Sequence, residues 1–496
     1  MAHEMRLTTD MLISLPRPRW GFSTAAHLLN RAGFGGSPSE IRQIEALGMD
    51  EAVERLLAYD DNPVLTETPD WTKPDFDRAA ERQAFRKATP AERKELQKTQ
   101  RRSERERMTE LRQWWLNRMM STPHPLQEKL TLFWHGHFAT SVQKVKDAYL
   151  MWQQNNLFRR NGSGDWFTLL SAVSKDPAML VWLDQGQSQK ENPNENFARE
   201  VMELFTLGEG QYSEQDVTEA ARSFTGWAYD RAEQRFVIRP RWHDVGIKTV
   251  LGKSGNWSGN DVLKMIIEQP MAPRFITQKL WTYFVGHPPS EELGEALSKE
   301  FVRHKQQFRP WLRTVFRSEA FYASSVMRQQ VKSPVFWLVN SARILQRKLP
   351  PNEASNNLLR LMGQELFAPP NVKGWDEGLA WITTNNLLAR YNSAEYLVSG
   401  ENPLRIPAGK AQKKGSPPRR LPLTGAVQLD SWLEEEDWVD AEHLLNTLEI
   451  RLFQTKLREK QRASVREYLA SRLPLDTVDI LHAIRLLMST PDFQLT

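Results

Sequence analysis

Residues 192–227, NPNENFAREVMELFTLGEGQYSEQDVTEAARSFTGW, leave the backbone little local choice. They spell two helices joined by a short turn. Asn192 has the side chain of an N-cap, Pro193 suits the first helical position, and Glu195 falls where a capping box places its acid. Phe197, Val201, Leu204 and Phe205 then repeat at helical spacing, and Gly208 is a C-terminal stop. Ser213 with Asp216 three residues on opens a second helix by the same device. Val217, Ala220, Ala221 and Phe224 form its apolar face. Two amphipathic helices joined this closely pack as a hairpin, and a chain built on such units is mainly α.

The first of these helices has an unusual margin. Asn196, Glu200 and Glu203 stand at i, i+4 and i+7, on an edge beside the apolar stripe rather than opposite it. Carboxylates placed there are half-buried and need partners. A structural network among Glu195, Arg199 and Glu203 is one reading. A metal or acid–base site is the other.

Length and composition bound the rest. A chain of 496 residues allows two to four domains, and 40% hydrophobic with 26% charged residues suits a large core. There is no cysteine, which excludes disulfides, thiolate nucleophiles, iron–sulfur clusters and cysteine zinc sites. The net charge of +5, from 66 basic and 61 acidic residues, is too small an excess to argue for nucleic acid. No apolar run is long enough for a membrane span. The first residues, MAHEMRLTTDMLISLPRPRW, do not read as a signal peptide, which implies a cytoplasmic protein, with a periplasmic or secreted one as the alternative. The 18 tryptophans are expected in cores and interfaces.

Along the chain, residues 22–36 read as a helix capped by Ser23 and closed by Gly33, Gly35 and Gly36. Those glycines match neither a P-loop nor a dinucleotide pattern, and they punctuate helices. Ser37, Pro38 and Glu40 open the next helix. Residues 61–75 are a proline-containing loop. The charged run from 78 to 119 alternates sign at i, i+3 and i+4, the mark of a solvated helix laced with pairs. Its interleaved glutamates argue against a nucleic-acid arm. Residues 234–259 form a β-like or irregular insertion, with helices on both sides of it. The expected organisation is a helical domain over 1–400, a basic Pro/Gly-rich linker over 401–425 and a C-terminal helical segment over 426–496.

Three groups carry chemistry. His135 and His137 flank Gly136 inside LQEKLTLFWHGHFATS. On one helix, residues two apart point about 200° from each other, so the pair shares a site only if Gly136 breaks the helix. His243 lies beside Asp244, with Lys248 close behind. Glu200 and Glu203, with Arg199, complete the set.

The motifs HLLNRAGFGGSP (27–38), FWHGHF (133–138), NENFAREVMELFTLGEG (194–210), ARSFTGW (221–227), HDVGIKTVLG (243–252) and PPNVKGW (369–375) occur in order across roughly residues 20–400. In these the chain resembles a bacterial family catalogued as domain of unknown function 1800. The resemblance implies a mostly helical fold and no established reaction. It also suggests as partner a companion protein resembling sulfatases and alkaline phosphatases, whose gene often neighbours that of the relatives.

Two functions are therefore expected. One is a metal-dependent hydrolase, with His135, His137, Glu203 and His243 as ligands to Zn, Mn or Fe and Glu200, Arg199, Asp244 and Lys248 as catalytic groups. The other is a non-catalytic binding or maturation partner of the companion protein.

Overall fold

The computed structural model describes residues 12–59, 68–73, 76–77, 87–231, 233–400, 427–431, 433 and 440–496. The loop expected over 61–75, apart from 68–73, and the linker expected over 401–425 lie outside them, as do residues 1–11 of the chain's start.

Helices dominate. Near the start are α1 (Phe22–Ala32), α2 (Pro38–Leu47) and α3 (Met49–Leu57). The cap of α1 is Gly21, not Ser23, with the Thr24 hydroxyl bonded to the Gly21 N–H. Ser37 and Glu40 form the capping box of α2. The charged helix is α4 (Pro90–Ser121), capped by Thr89 and Glu92. Its pairs Arg102–Glu106 and Lys98–Glu95 are solvated, whereas its last turns bury Met108, Leu111, Trp115, Leu116 and Met119. Next come α5 (Pro125–His137), α6 (Ala148–Asn161), α7 (Trp166–Ser174) and α8 (Pro177–Trp182).

The hairpin is present as α9 (Glu195–Met202) and α10 (Glu214–Phe224). The cap of α9 is Asn194, two residues later than expected; its Oδ1 accepts from the Asn196 and Phe197 N–H groups. Asn192 instead bridges to Gln189. After Met202 the helix widens into a π turn, Glu203–Leu207, and Gly208 ends it in the left-handed region (φ 86). The insertion is two small antiparallel hairpins, β1 (Trp227–Asp230) with β2 (Arg235–Ile238) and β3 (Lys248–Val250) with β4 (Lys253–Gly255). Then follow α11 (Gly259–Ile267), α12 (Met271–Val285), α13 (Glu291–Arg303), α14 (Phe308–Arg317), α15 (Pro334–Ile344), α16 (Asn352–Leu361) and α17 (Thr384–Ser399). The chain closes with α18 (Ala441–Leu452), α19 (Glu459–Ala470) and α20 (Thr477–Met488). No helix among the described residues is long and apolar enough to cross a membrane.

Among the described residues two apolar cores result. One joins α1–α3, α7 and α9–α14; the other joins the end of α4 to α15–α20. The C-terminal helices thus share a core with α15–α17. Between the two cores runs α5. Leu126, Leu130, Phe133 and Trp134 face the first core and Leu132 the second. Every residue from Leu126 to His135 is buried, the pattern of a helix enclosed on all sides.

Candidate functional site

Enclosure of α5 obliges each of its polar side chains to find a partner. Gln127 donates to the Arg159 carbonyl (3.3 Å), and the Thr131 hydroxyl donates to the Gln127 carbonyl (2.8 Å). Glu128 takes a bidentate pair from Arg159 (2.7 and 2.8 Å), the Trp115 indole N–H (2.8 Å) and Arg118. Burial favours the neutral acid, but the two guanidiniums outweigh it and hold the Glu128 carboxyl below the usual range.

His135 and His137 each find a backbone partner, separately. The helix does not break at Gly136, so the imidazoles diverge. His135 Nε2 accepts from the Phe367 N–H (3.1 Å) among Trp115, Phe367 and Trp375. Burial pushes it down to about 3, so it is a neutral acceptor. His137 Nε2 lies 3.0 Å from the Phe205 carbonyl and must carry the proton to donate there. Its Nδ1 is buried and has no hydrogen-bond partner among the described residues.

Lys129 is the exception. Among the described residues no carboxylate pairs with its ammonium and no oxygen accepts a hydrogen bond from it. Its Nζ instead lies over the rings of Phe336 (4.4 Å), Phe34 (5.4 Å) and Tyr283 (5.7 Å). Burial, reinforced by the nearby Arg31 guanidinium, lowers this amine to about 7.

Lys129 lines a cleft of about 410 Å³. One wall is α5, with Phe133, Gly136 and His137. A second is α12, with Phe275, Lys279 and Tyr283. The segment leading into α15 adds Lys332, α15 itself adds Phe336, and the loop after α16 adds Lys373, Trp375, Glu377 and Trp381. Lys332 is buried; it bonds Asn340 Oδ1 (3.2 Å), lies 3.9 Å from the Phe493 ring centre, and is held well below the usual amine range by burial. Lys279 and Glu377 are reached by solvent yet confined by the cleft walls. Confinement lowers the Lys279 amine and raises the Glu377 carboxyl, and each partly offsets the other.

The loop after α16 reaches α5 through one glycine. Gly374 has φ 93, and a Cβ there would stand 2.4 Å from the Gly136 carbonyl oxygen. That approach sets the Trp375 ring against Gly136 and beside His135. Two of the motifs, FWHGHF and PPNVKGW, therefore meet as adjoining walls of one cleft.

The remaining expected residues are placed elsewhere. Arg199 forms a bidentate pair with Glu214 across the hairpin (2.7 and 2.6 Å), not with Glu195 or Glu203. Glu203 accepts from the Tyr212 hydroxyl (2.5 Å), and Glu195 from the Thr218 hydroxyl (3.0 Å). Glu200 is half-buried, and its carboxyl is raised by burial and by Glu203, against the pull of Arg199 and Lys373. His243 Nδ1 donates to the Thr225 carbonyl (2.9 Å), and Asp244 pairs with Arg222 (2.8 Å) and the Gly246 N–H. Both close the end of α10. Lys248 is buried on β3 and donates to the Trp257 carbonyl (3.1 Å) and Asn256 (3.3 Å).

Among the described residues no three His, Asp or Glu side chains are grouped to hold a metal ion. The expected convergence of acids and imidazoles is not found. A continuous α5 sends its two histidines apart, the π turn shifts Glu203 toward Tyr212, and His243 is turned to the backbone of Thr225. Of the expected set, only His137 lines the cleft.

The sequence model of the family described as protein of unknown function (DUF1800) matches residues 27–495. The chain belongs to this family. No curated protein and no solved structure matches it. The DUF1800 match extends past residue 400, so the C-terminal helices lie within it, in accord with their share of the second core.

Proposed function

We propose that the protein works on a small anionic molecule bound in the cleft between α5 and α12. The observation that carries this reading is the unpaired ammonium of Lys129, enclosed on a central helix whose other polar side chains each make at least one hydrogen bond. A buried charge without a counter-ion is expensive, and an anionic ligand is the natural compensation. Lys279 and Lys373 add to the positive field on the same cleft, against Asp376 and Glu377. Aromatic walls from Phe133, Tyr283, Trp375 and Trp381 supply apolar contact, the usual make-up of a small-molecule site. Neither the metal-dependent hydrolase nor the companion-partner reading draws on a feature of this geometry.

Anion binding to such an amine is linked to proton uptake. At about pH 8 most of the Lys129 amine is neutral, and a bound anion recharges it. Calorimetric titration with inorganic phosphate and with succinate, in buffers of different ionisation enthalpy, counts the protons. Binding with uptake approaching one proton at about pH 8, lost in Lys129→Met, is the expected result. Absence of binding by either anion, or binding indifferent to Lys129→Met and Lys332→Met, overturns the reading.

A further inference from the structure

We infer that Lys129 is a nucleophile that forms an imine with the carbonyl carbon of a small anionic aldehyde or ketone, such as a 2-oxo acid, held in this cleft. The inference rests on the anion-binding reading above and adds the class of ligand. The cleft already has cations suited to a carboxylate in Lys279 and Lys373. Lys129 differs from both in position: it is set into the enclosed helix, its Nζ over three aromatic rings and near the Arg31 guanidinium. Apolar enclosure beside other cations is what exposes a lysine lone pair near neutral pH, and burial leaves this amine at about 7.

The step balances without an oxidant or reductant. The Lys129 lone pair forms a C–N bond to the carbonyl carbon while the carbonyl oxygen takes up a proton and Nζ releases one, giving a neutral carbinolamine. Its hydroxyl then leaves with a second proton as water, and a C=N bond to Nζ replaces the C=O bond. The protons are exchanged with solvent in the open cleft, which Glu377 also lines. The protonated imine that results is a cation, and it stays over the Phe336 and Phe34 faces that hold the ammonium.

The test is reductive trapping of the full chain. Glyoxylate or pyruvate is added, then sodium borohydride, and the adduct is located by peptide mass mapping. Phosphate binding is measured on the same preparation. A reduced adduct concentrated on Lys129, and absent from Lys129→Arg, which keeps the cation but has no such amine, is the expected result. Adducts spread over exposed lysines, or none on Lys129, overturn the imine even where phosphate binds with proton uptake; the anion site then stands alone. An adduct on Lys129 without phosphate binding supports the imine and limits the anion site to carboxylates. Trapping on the unaltered chain keeps the inference falsifiable should the arginine variant fold poorly.

Discussion

Replacing Lys129 by methionine should stabilise the protein at neutral pH. The fall of the amine from 10.5 to about 7 corresponds to roughly 4 to 5 kcal/mol of stability lost at pH 7 relative to strongly alkaline conditions. The aromatic faces offset part of this. The nearest, Phe336 at 4.4 Å, contributes about 2 kcal/mol. Methionine has nearly the same volume and no charge, so Lys129→Met should gain roughly 2 to 3 kcal/mol. At an unfolding entropy of about 2.1 cal/mol/K per residue over 496 residues, this raises the Tm by about 2 to 3 °C.

The pH dependence supplies the sharper check. The folded amine titrates below the unfolded one, so the unfolded chain binds more protons between about pH 7 and 10.5. Stability of the unaltered protein therefore rises with pH in that window, and its deficit is complete below the folded pKa. Lys129→Met has no such slope. Urea unfolding at about pH 7 and about pH 9 should show the variant's advantage shrinking by roughly 2 kcal/mol. A variant less stable than the parent at neutral pH, or a gap unchanged between the two pH values, would refute the picture of an enclosed, unpaired ammonium.

Other substitutions separate structural from functional groups. Glu128→Gln strands Arg159 and Arg118 and should cost about 3 to 5 kcal/mol, read by urea unfolding. Gly374→Ala meets both positive φ and the Gly136 carbonyl and should lose roughly 2 kcal/mol or more, together with anion binding. Gly136→Ala, whose Cβ meets only the Trp375 ring at 3.6 Å, should instead gain about 0.5 to 1 kcal/mol from helix propensity. Arg199→Ala removes a pair that is largely solvent-exposed on the Glu214 side, so it should change stability by less than about 1 kcal/mol and leave calorimetric anion binding intact.

Much of the fold was legible because its determinants are local. The Ser213–Asp216 and Ser37–Glu40 boxes, the stop at Gly208 and the buried stripe of α10 each depend on residues within one or two turns. The errors lie where distant contacts decide. Asn194 rather than Asn192 caps α9 because the preceding residues are held in a turn, with Asn192 bridged to Gln189 and Asn194 anchored to the Leu183 carbonyl. The π turn after Met202, with Thr206 donating to the Val201 carbonyl, turns Glu203 out of register with Glu200.

The site was harder to see because its sign is a missing partner, and partners are not visible in a linear pattern. Histidines and clustered acids are chemically versatile types, yet the fold satisfies most of them with backbone groups or arginines. One signal was nonetheless present in LQEKLTLFWHGHF. Glu128 and Lys129 are adjacent on a helix that is apolar on every face, and neighbours in a helix point about 100° apart. They cannot neutralise each other, so each needs its own compensation on a different side. For Glu128 the chain supplies two arginines and an indole. For Lys129 the described residues supply only aromatic faces, and the side that would hold an acid is the open cleft.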